Sequence, residues 1–574
     1  MNLDFRLNAS LEEDITPLFG EVATSCRKKY NDIVTSASNP ILSNIDWWSE
    51  NASSRNTYAS ALFHNVCCIE LLKTIIDKDL SIPKKIIVDS KELLRIIQLI
   101  KEEYLLEGME IVYREDISKK VKSFLRYFYY EWFCLVRMAR IILSRVVPYK
   151  KSYINTGKPL VLIDTFITSS YINEDRWYGS FWDHLDREAK KEIFFVPSVV
   201  DSSLTKFYRI LKGIRSSERN YILKEDYLTF TDVVYAYKHK YRVKSIQIGK
   251  CFLGKTDITG LVEEDLFTNR DIHSIMESLL TYRFLKNLSL TSLNIRLFID
   301  WFEGHSLDKM WNLGIHNFFP NTKRIAYETF RSFPFYLSTY PIEVERKAEV
   351  IPDVFAVQGV GCIEPIREFL PKQEVISVPA FKNEYIWKDR TDVNLINKVV
   401  LVAFPISVKT SAKILDFLIE NSINSASDDI IYELKPHPVV KASAIRKLLK
   451  NQIPKNFRFT KERIFHKLLF KSSLLITEAS SVCLEALAVG KPVIIIENTS
   501  GLTYDPIPNE ISKDMYMKCK SVHELEFALK KFLFLSQDEI LTNVNTGKKI
   551  REHYFEPVTK EGLNRFLDLR KIKD

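Results

Sequence analysis

Short apolar runs bounded by proline, glycine and serine recur along the chain, and between them stand longer stretches with helical spacing. Such alternation predicts an α/β protein. Residues 1–60 read as helical and polar, and a helix over 58–76 follows. Lys84–Ser90 reads as a strand meeting a helix, Leu93–Leu105 as that helix and Met109–Tyr113 as the next strand, which makes a βαβ unit. From Pro159 the rhythm resumes with strands at Leu160–Asp164 and Glu192–Val196, separated by a helical spacer containing Tyr178-Gly-Ser-Phe-Trp182. Ile272–Leu288 and Leu290–Phe302 read as long helices, and Glu374–Val378 as a strand. Polar residues 388–396 read as a linker, after which Val399–Pro405 opens a second α/β unit. Helix 410–421, strands over Ile430–Leu434 and Leu474–Thr477, helix Val482–Val489 closed by Gly490, and a buried strand over Pro492–Glu497 belong to that unit. Helices over 522–535, 537–546 and 557–570 close the chain.

At 574 residues, two or more domains are expected. Lys and Arg total 82 against 73 Asp and Glu, a net charge of +9 that favours an anionic surface or ligand without a nucleic-acid signature. The eight cysteines have no Cys-x-x-Cys or Cys/His spacing and read as reduced, mostly buried thiols of a cytoplasmic protein. No signal peptide and no uncharged spanning run is apparent. The single Asp-x-Asp, Asp77-Lys-Asp79, reads as a turn, so no metal is expected.

Two phrases carry the candidate chemistry. In Tyr432-Glu-Leu-Lys-Pro-His-Pro438, prolines on both sides of the histidine end an apolar strand and fix the backbone around the imidazole. In Leu475-Ile-Thr-Glu-Ala-Ser-Ser481, a strand runs into two serines where a helix begins. A helix start preceded by hydroxyls suits a phosphate, and a parallel sheet binds ligands beyond the carboxyl ends of its strands. Either serine alone is also an ordinary helix cap.

These phrases, with Glu485-Ala-Leu and Gly490-Lys-Pro-Val-Ile, resemble the carboxyl-terminal nucleotide-binding half of GT-B glycosyltransferases. They are most similar to bacterial enzymes that use CMP-activated acidic sugars, and to related polyol-phosphate transferases. The resemblance implies two Rossmann-like domains facing a central cleft. It further implies that His437 and the Ser480/Ser481 pair hold the donor phosphate, with Lys435, Pro438, Thr477 and Glu485 as donor-side neighbours.

Trp301-Phe-Glu-Gly-His305 puts a carboxylate and an imidazole two residues apart before a loop, a pairing suited to taking a proton from a sugar hydroxyl. The stretch resembles bacterial surface-carbohydrate (O-antigen) transferases, with Gly304-His305 in place of the usual Asn-Gln. Glu303 is the first choice for the base, Glu328 the second, and His305 an acceptor contact. Arg55 reads as an acceptor contact or a helix cap, Asp164 as a strand-end group facing the cleft, and Lys382 as a residue able to reach the donor. Aromatic and basic 121–149 reads either as an interfacial helix near a lipid-linked acceptor or as a core helix whose arginines snorkel or pair.

The resemblance therefore implies an N-terminal acceptor-side domain over 1–387, the 388–396 linker, a nucleotide-sugar domain over 397–545, and a tail over 546–574 that crosses back to the first domain. The expected activity is metal-independent transfer of a nonulosonic-acid or Kdo-type sugar from a CMP-linked donor to a glycan or lipid-linked acceptor in surface polysaccharide synthesis. No other cofactor is expected, and the enzyme would be cytoplasmic or peripheral on the inner membrane face. Alternatives are a CDP-linked polyol-phosphate transferase and a non-catalytic carbohydrate-assembly protein.

Overall fold

A computed structural model describes residues 1–568 apart from 8, 116, 148–157, 169–171, 173–174, 200–202, 269–271, 389–397, 425–428, 450–453, 479, 499–501, 503–504 and 506; within helices, the side chains at 117–124, 126–127 and 423–424 also lie outside the description. Most of the expected linker, 389–396, therefore falls outside the described residues, as does 569–574.

Strands β1 (Asn2–Asp4), β2 (Lys85–Val88) and β3 (Glu110–Tyr113) form a parallel three-stranded sheet. Strands β4 (Leu160–Ile167) and β5 (Ile193–Val199) belong to a larger sheet, and β6 (Phe252–Leu253) with β7 (Thr256–Asp257) makes a small hairpin. Strands β8 (Ile295–Trp301), β9 (Lys323–Glu328), β10 (Val354–Val357) and β11 (Glu374–Ser377) complete the larger sheet, which is all parallel in the order β11-β10-β9-β8-β4-β5. A second six-stranded parallel sheet follows, from β12 (Val399–Ala403), β13 (Ile431–Lys435), β14 (Phe457–Phe459), β15 (Leu474–Thr477), β16 (Val493–Ile496) and β17 (Tyr516–Cys519). Its order, β14-β13-β12-β15-β16-β17, is that of a doubly wound nucleotide-binding sheet. The fold is thus α/β and GT-B-like, with two Rossmann-like sheets.

In each sheet the strand order reverses once, between β4 and β8 in the first and between β12 and β15 in the second. Ligands of open parallel sheets bind outside the strand ends at such points. Glu303 follows β8 by two residues, and Ser480 follows β15 by three.

One expectation fails where it matters. Residues 290–302 are not a helix: after a short turn, Ile295–Trp301 is β8, a central strand. A strand covered on both faces is apolar almost throughout, and Ile-Arg-Leu-Phe-Ile-Asp-Trp loses the two-residue alternation that marks an exposed strand. The spacer after β4 is helical only in part, with turns through 176–180, a short 3-10 turn at Phe181–His184 and a helix over Arg187–Glu192.

A shared core joins the two sheets, with Phe302, Ala326 and Phe355 of the first packed in one cluster with Leu401, Leu475 and Val493 of the second. Helix Gln537–Tyr554 packs on Val482–Ala488, and helix Lys560–Phe566 lies against the first sheet. There the Phe566 ring centroid is 4.9 Å from that of Tyr327, and Arg565 Nε donates to Ser377 O at 2.7 Å. All eight cysteines are buried and free of disulfides.

Of the two readings of Arg55, the structure has the helix cap and corrects the acceptor contact. Arg55 caps the short helix Asn51–Ser54 with φ +56°, is fully buried, and donates to Glu345 Oε2 at 2.8 Å, Asn31 Oδ1 at 2.9 Å and Tyr340 O at 2.6 Å. Lys309 Nζ pairs with the same carboxylate. Burial pushes the Glu345 carboxyl up, but Arg55 and Lys309 outweigh it and hold it below the usual range. Removing one partner of a buried pair costs about 3–5 kcal/mol. Arg55→Ala should therefore lower the midpoint of the first urea transition by a corresponding amount, whereas an unshifted midpoint would show that the pair is not holding the N-terminal helices to segment 340–345.

Candidate functional site

The site begins with the loop after β8. Gly304 has φ +72°, and a Cβ there would lie 1.8 Å from the Ser338 carbonyl oxygen, so only glycine lets the chain turn this tightly against segment 336–338. Asp308 Oδ2, in the first turn of helix Ser306–Phe318, accepts from the backbone N–H of Glu303 at 3.0 Å and of His305 at 2.9 Å. Ser338 Oγ donates to Glu303 O at 2.8 Å. These contacts fix the direction of both candidate side chains, each about one-third exposed.

Glu303 Oε1 accepts from the Trp301 indole at 3.3 Å, and its Oε2 accepts from the Tyr336 hydroxyl at 3.2 Å. His305 Nε2 contacts the same hydroxyl and lies 3.7 Å from Glu303 Oε2. Burial, followed by the Glu303 charge, holds the Tyr336 phenol well above its ordinary pKa, so it remains a hydrogen-bond donor. The result is a carboxylate with one face open and two donors behind it, linked through a phenol to an imidazole. Such a group can accept a proton from a hydroxyl that approaches its open face.

A second feature, Arg176, is missed by the sequence reading. Asp175 Oδ1 accepts from the N–H groups of Trp177 and Tyr178 at 2.8 and 2.9 Å, which holds the loop after β4. The Arg176 guanidinium lies 5.0 Å over the Trp177 ring, and that ring meets Trp301 edge-on at 4.9 Å. Gly179, at φ +51°, brings the loop so close to Phe381-Lys382 that a Cβ would lie 2.4 Å from Phe381 O. Arg176 and Lys382 are therefore carried by two segments locked together. A sequence signal existed in Asp-Arg-Trp-Tyr-Gly: an Asx-type turn followed by a glycine just past the first strand of a sheet.

On the facing sheet, His437 and Lys435 sit at the carboxyl end of β13 and are partly buried. Burial, then the Arg176 charge, lowers the His437 pKa to about 4, so its ring is neutral near pH 7. Arg176 also disfavours the charged forms of Lys435 and Lys382, beyond the effect of burial on each. Glu303 and Glu485 act on Lys382 in the opposite sense. Arg176 is thus near enough for its charge to act on Lys382, Lys435 and His437, and Glu303 near enough to act on Lys382.

The remaining expected residues divide. Lys435 Nζ donates to Glu462 O at 2.6 Å, within its own domain. Ser480 and Ser481 are partly exposed at the start of Val482–Ala488; Ser480 Oγ accepts from the Val482 N–H at 3.5 Å, and Ser481 makes no side-chain cap. Pro438 is exposed beside His437. Glu485 is buried and takes a hydrogen bond from the Tyr385 hydroxyl across the domain boundary, so its partner is the protein.

Three others are corrections. Thr477 is fully buried, with its hydroxyl donating to Ala403 O at 2.8 Å. Glu328 is buried at the end of β9, accepts from Ser332 Oγ at 2.7 Å, and is pushed up to about 8 by burial; it is a protonated acid near neutrality and does not suit the role of base. Asp164 is fully buried, neither carboxyl oxygen meets a hydrogen-bond partner among the described residues, and burial raises it to about 8. It does not face the cleft. Among the described residues no cluster of three or more His, Cys, Asp or Glu side chains could hold a metal ion.

No protein-family model matches the chain, and a search of curated proteins finds no match. Solved structures do resemble it in outline. S. aureus MnaA, in a co-structure with UDP, aligns at 12% identity over 73% of this chain and 99% of its own, with a TM-score of 0.40. A trehalose 6-phosphate synthase from Burkholderia multivorans aligns at 10% identity over 72% and 99%, with a TM-score of 0.42. The glycosyltransferase SnogD from Streptomyces nogalater aligns at 10% identity over 72% and 99%, with a TM-score of 0.39. Likeness at this level assigns neither substrate nor activity.

The buried acids give a pH prediction. An unfolded carboxyl titrates near 4, whereas folded Asp164 and Glu328 keep their protons to about 8. The folded chain binds these protons better, so their stabilising contribution is full below about pH 4 and is lost as pH rises to about 8. Asp164→Asn should flatten the fall in melting temperature between pH 5 and 8; an identical pH profile in the variant would refute the assignment.

Proposed function

We propose that the chain is a glycosyltransferase that moves an acidic sugar of the nonulosonic-acid or Kdo type from a CMP-linked donor to a glycan or lipid-linked acceptor. In this reading residues 1–387 form the acceptor side and 397–545 the donor side. The observation that carries it is that Glu303, just past a strand of one parallel sheet, and His437, just past a strand of the other, both lie within electrostatic reach of the Arg176 and Lys382 pair. Cations and a neutral imidazole N–H suit a leaving phosphate, and an open carboxylate opposite them suits an attacking hydroxyl. The Lys-Pro-His-Pro and Ser-Ser phrases support the donor side, and their likeness to CMP-sugar enzymes supports the nucleotide.

In the transfer step, Glu303 takes the acceptor proton while Trp301 and Tyr336 hold its carboxylate in place. The acceptor oxygen forms its bond to the anomeric carbon as the bond from that carbon to the phosphate oxygen breaks. The electron pair leaves on the phosphate, which His437 and the three cations stabilise. A charge-assisted hydrogen bond contributes about 1.5–3 kcal/mol. His437→Ala should therefore slow transfer at least tenfold, and Glu303→Gln by about 10²–10⁴ while leaving nucleotide binding intact.

Binding tests the donor side without knowledge of the acceptor. In a thermal-shift titration with CMP, CDP, UDP and GDP, a ligand at a hundred times its dissociation constant adds about 2.7 kcal/mol. Stabilisation by CMP that is lost in His437→Ala and weakened in Arg176→Ala is the expected result. Preference for a diphosphate would replace the proposed donor, with CDP pointing to polyol-phosphate transfer. No response to any of the four would leave a non-catalytic assembly protein as the better reading.

A further inference from the structure

Helix Ile117–Val146 has two unlike faces. Inward, Tyr130, Phe133 and Ile141 are buried in the core of the first large sheet. Arg137 pairs with Glu277, and the Arg140 guanidinium lies 4.9 Å over Phe207. This half is a core helix with paired arginines. Outward, the described part of the helix carries a second apolar stripe.

Leu125, Phe128, Trp132, Leu135, Ile142 and Val146 are 50–71% exposed, and Tyr129 is 46% exposed. Their spacing of three, four and seven residues makes one stripe, about 32 Å long at 1.5 Å per residue. A helix of a globular protein normally turns polar residues outward, and a contiguous exposed apolar patch of this extent marks an interaction surface. Val234 and Tyr241, 40% and 55% exposed, extend it across a groove of about 540 Å³ lined by Cys134, Leu135 and Met138.

Charge identifies the occupant. Residues 117–151 contain nine lysines and arginines against one acid, Glu131; of the described ones, Arg137 and Arg140 are buried and Arg145 is exposed. Pairing of this face with a second copy would set like charges against each other. No described helix is long and apolar enough to cross a membrane, so insertion end-on is excluded for this one. Exposed Trp, Tyr and Phe on a basic helix fit the boundary between headgroups and acyl chains, where rings are amphipathic and anionic lipid attracts lysine and arginine.

We propose that the outward stripe of helix Ile117–Val146 is a docking surface for an anionic lipid bilayer, lying in the plane of its headgroups. The site is separate from the cleft, and its test does not depend on the donor or on any transfer activity. The full chain is floated with vesicles of neutral phosphatidylcholine, and with vesicles in which about a third of the lipid is phosphatidylglycerol. Binding should be at least tenfold stronger to the anionic vesicles. It should weaken at least tenfold in Phe128→Glu/Trp132→Glu and stay unchanged in Phe534→Glu, an equally exposed phenylalanine elsewhere.

Absence of binding to anionic vesicles would overturn the proposal, as would equal binding by the double variant. A wild-type dimer that the double variant splits, seen by light scattering, would assign the face to a second copy instead. Should the double variant fail to fold, Trp132→Phe serves: a blue shift in tryptophan emission on adding anionic vesicles should be present in the wild type and reduced in this variant. An undiminished shift would also count against the stripe.

Discussion

The geometry of the cleft depends on how segment Phe381–Trp387 is held between the two sheets. Tyr385 donates to Glu485 of the second domain and stacks on His466 with ring centroids 4.4 Å apart. Trp387 donates to Phe555 O at 3.1 Å, and the Arg551 guanidinium covers its ring at 4.5 Å. At the other end of the segment, Ser180 N–H and Oγ reach Phe381 O, and Gly179 allows that approach. One short segment therefore fixes Lys382, sets the Arg176 loop against it, and ties both to the second sheet.

Electrostatics follow the same plan. Where a buried charge has a partner, as Glu345 has Arg55 and Lys309, and Glu277 has Arg137 and Lys224, the carboxylate is retained. Burial tends to neutralise Glu277, but Arg137 and Lys224 hold its pKa far below the usual range. Where no cation is close enough, as at Glu328, burial wins and the acid keeps its proton. Asp164 has Lys224 among its neighbours, but desolvation and the nearby Asp308 and Glu277 prevail. Burial thus keeps the unpaired acids Asp164 and Glu328 protonated and leaves the paired Glu277 and Glu345 ionised.

The cleft and the outward helix make different demands on the same domain. The cleft needs fixed loops at strand ends, and Gly304, Asp308 and Asp175 supply them through backbone hydrogen bonds and a tight turn. The helix needs only to present a stripe, and Arg137 with Glu277 and Glu225 anchors its inner face to the core. Because that anchor is buried ion pairing and not shared loop structure, changes on the outward stripe should leave the cleft in place.

By itself the sequence determined the α/β class, the second unit and the end of β13, because each rests on local signals. Prolines stop a strand wherever it lies, and Ile272–Leu288 has helical spacing over many turns. Those signals run out where an element is covered on both faces: β8 is apolar at five of its seven positions and reads as a helix, although its neighbours β4 and β9 make it a strand. Only the tertiary structure could bury Arg55, Asp164 and Thr477, pair Glu485 with Tyr385, and carry Arg176 across to His437. Each of these is set by a partner far away in the chain, and local spacing carries no record of which distant groups will exclude water from a side chain or supply its counter-charge.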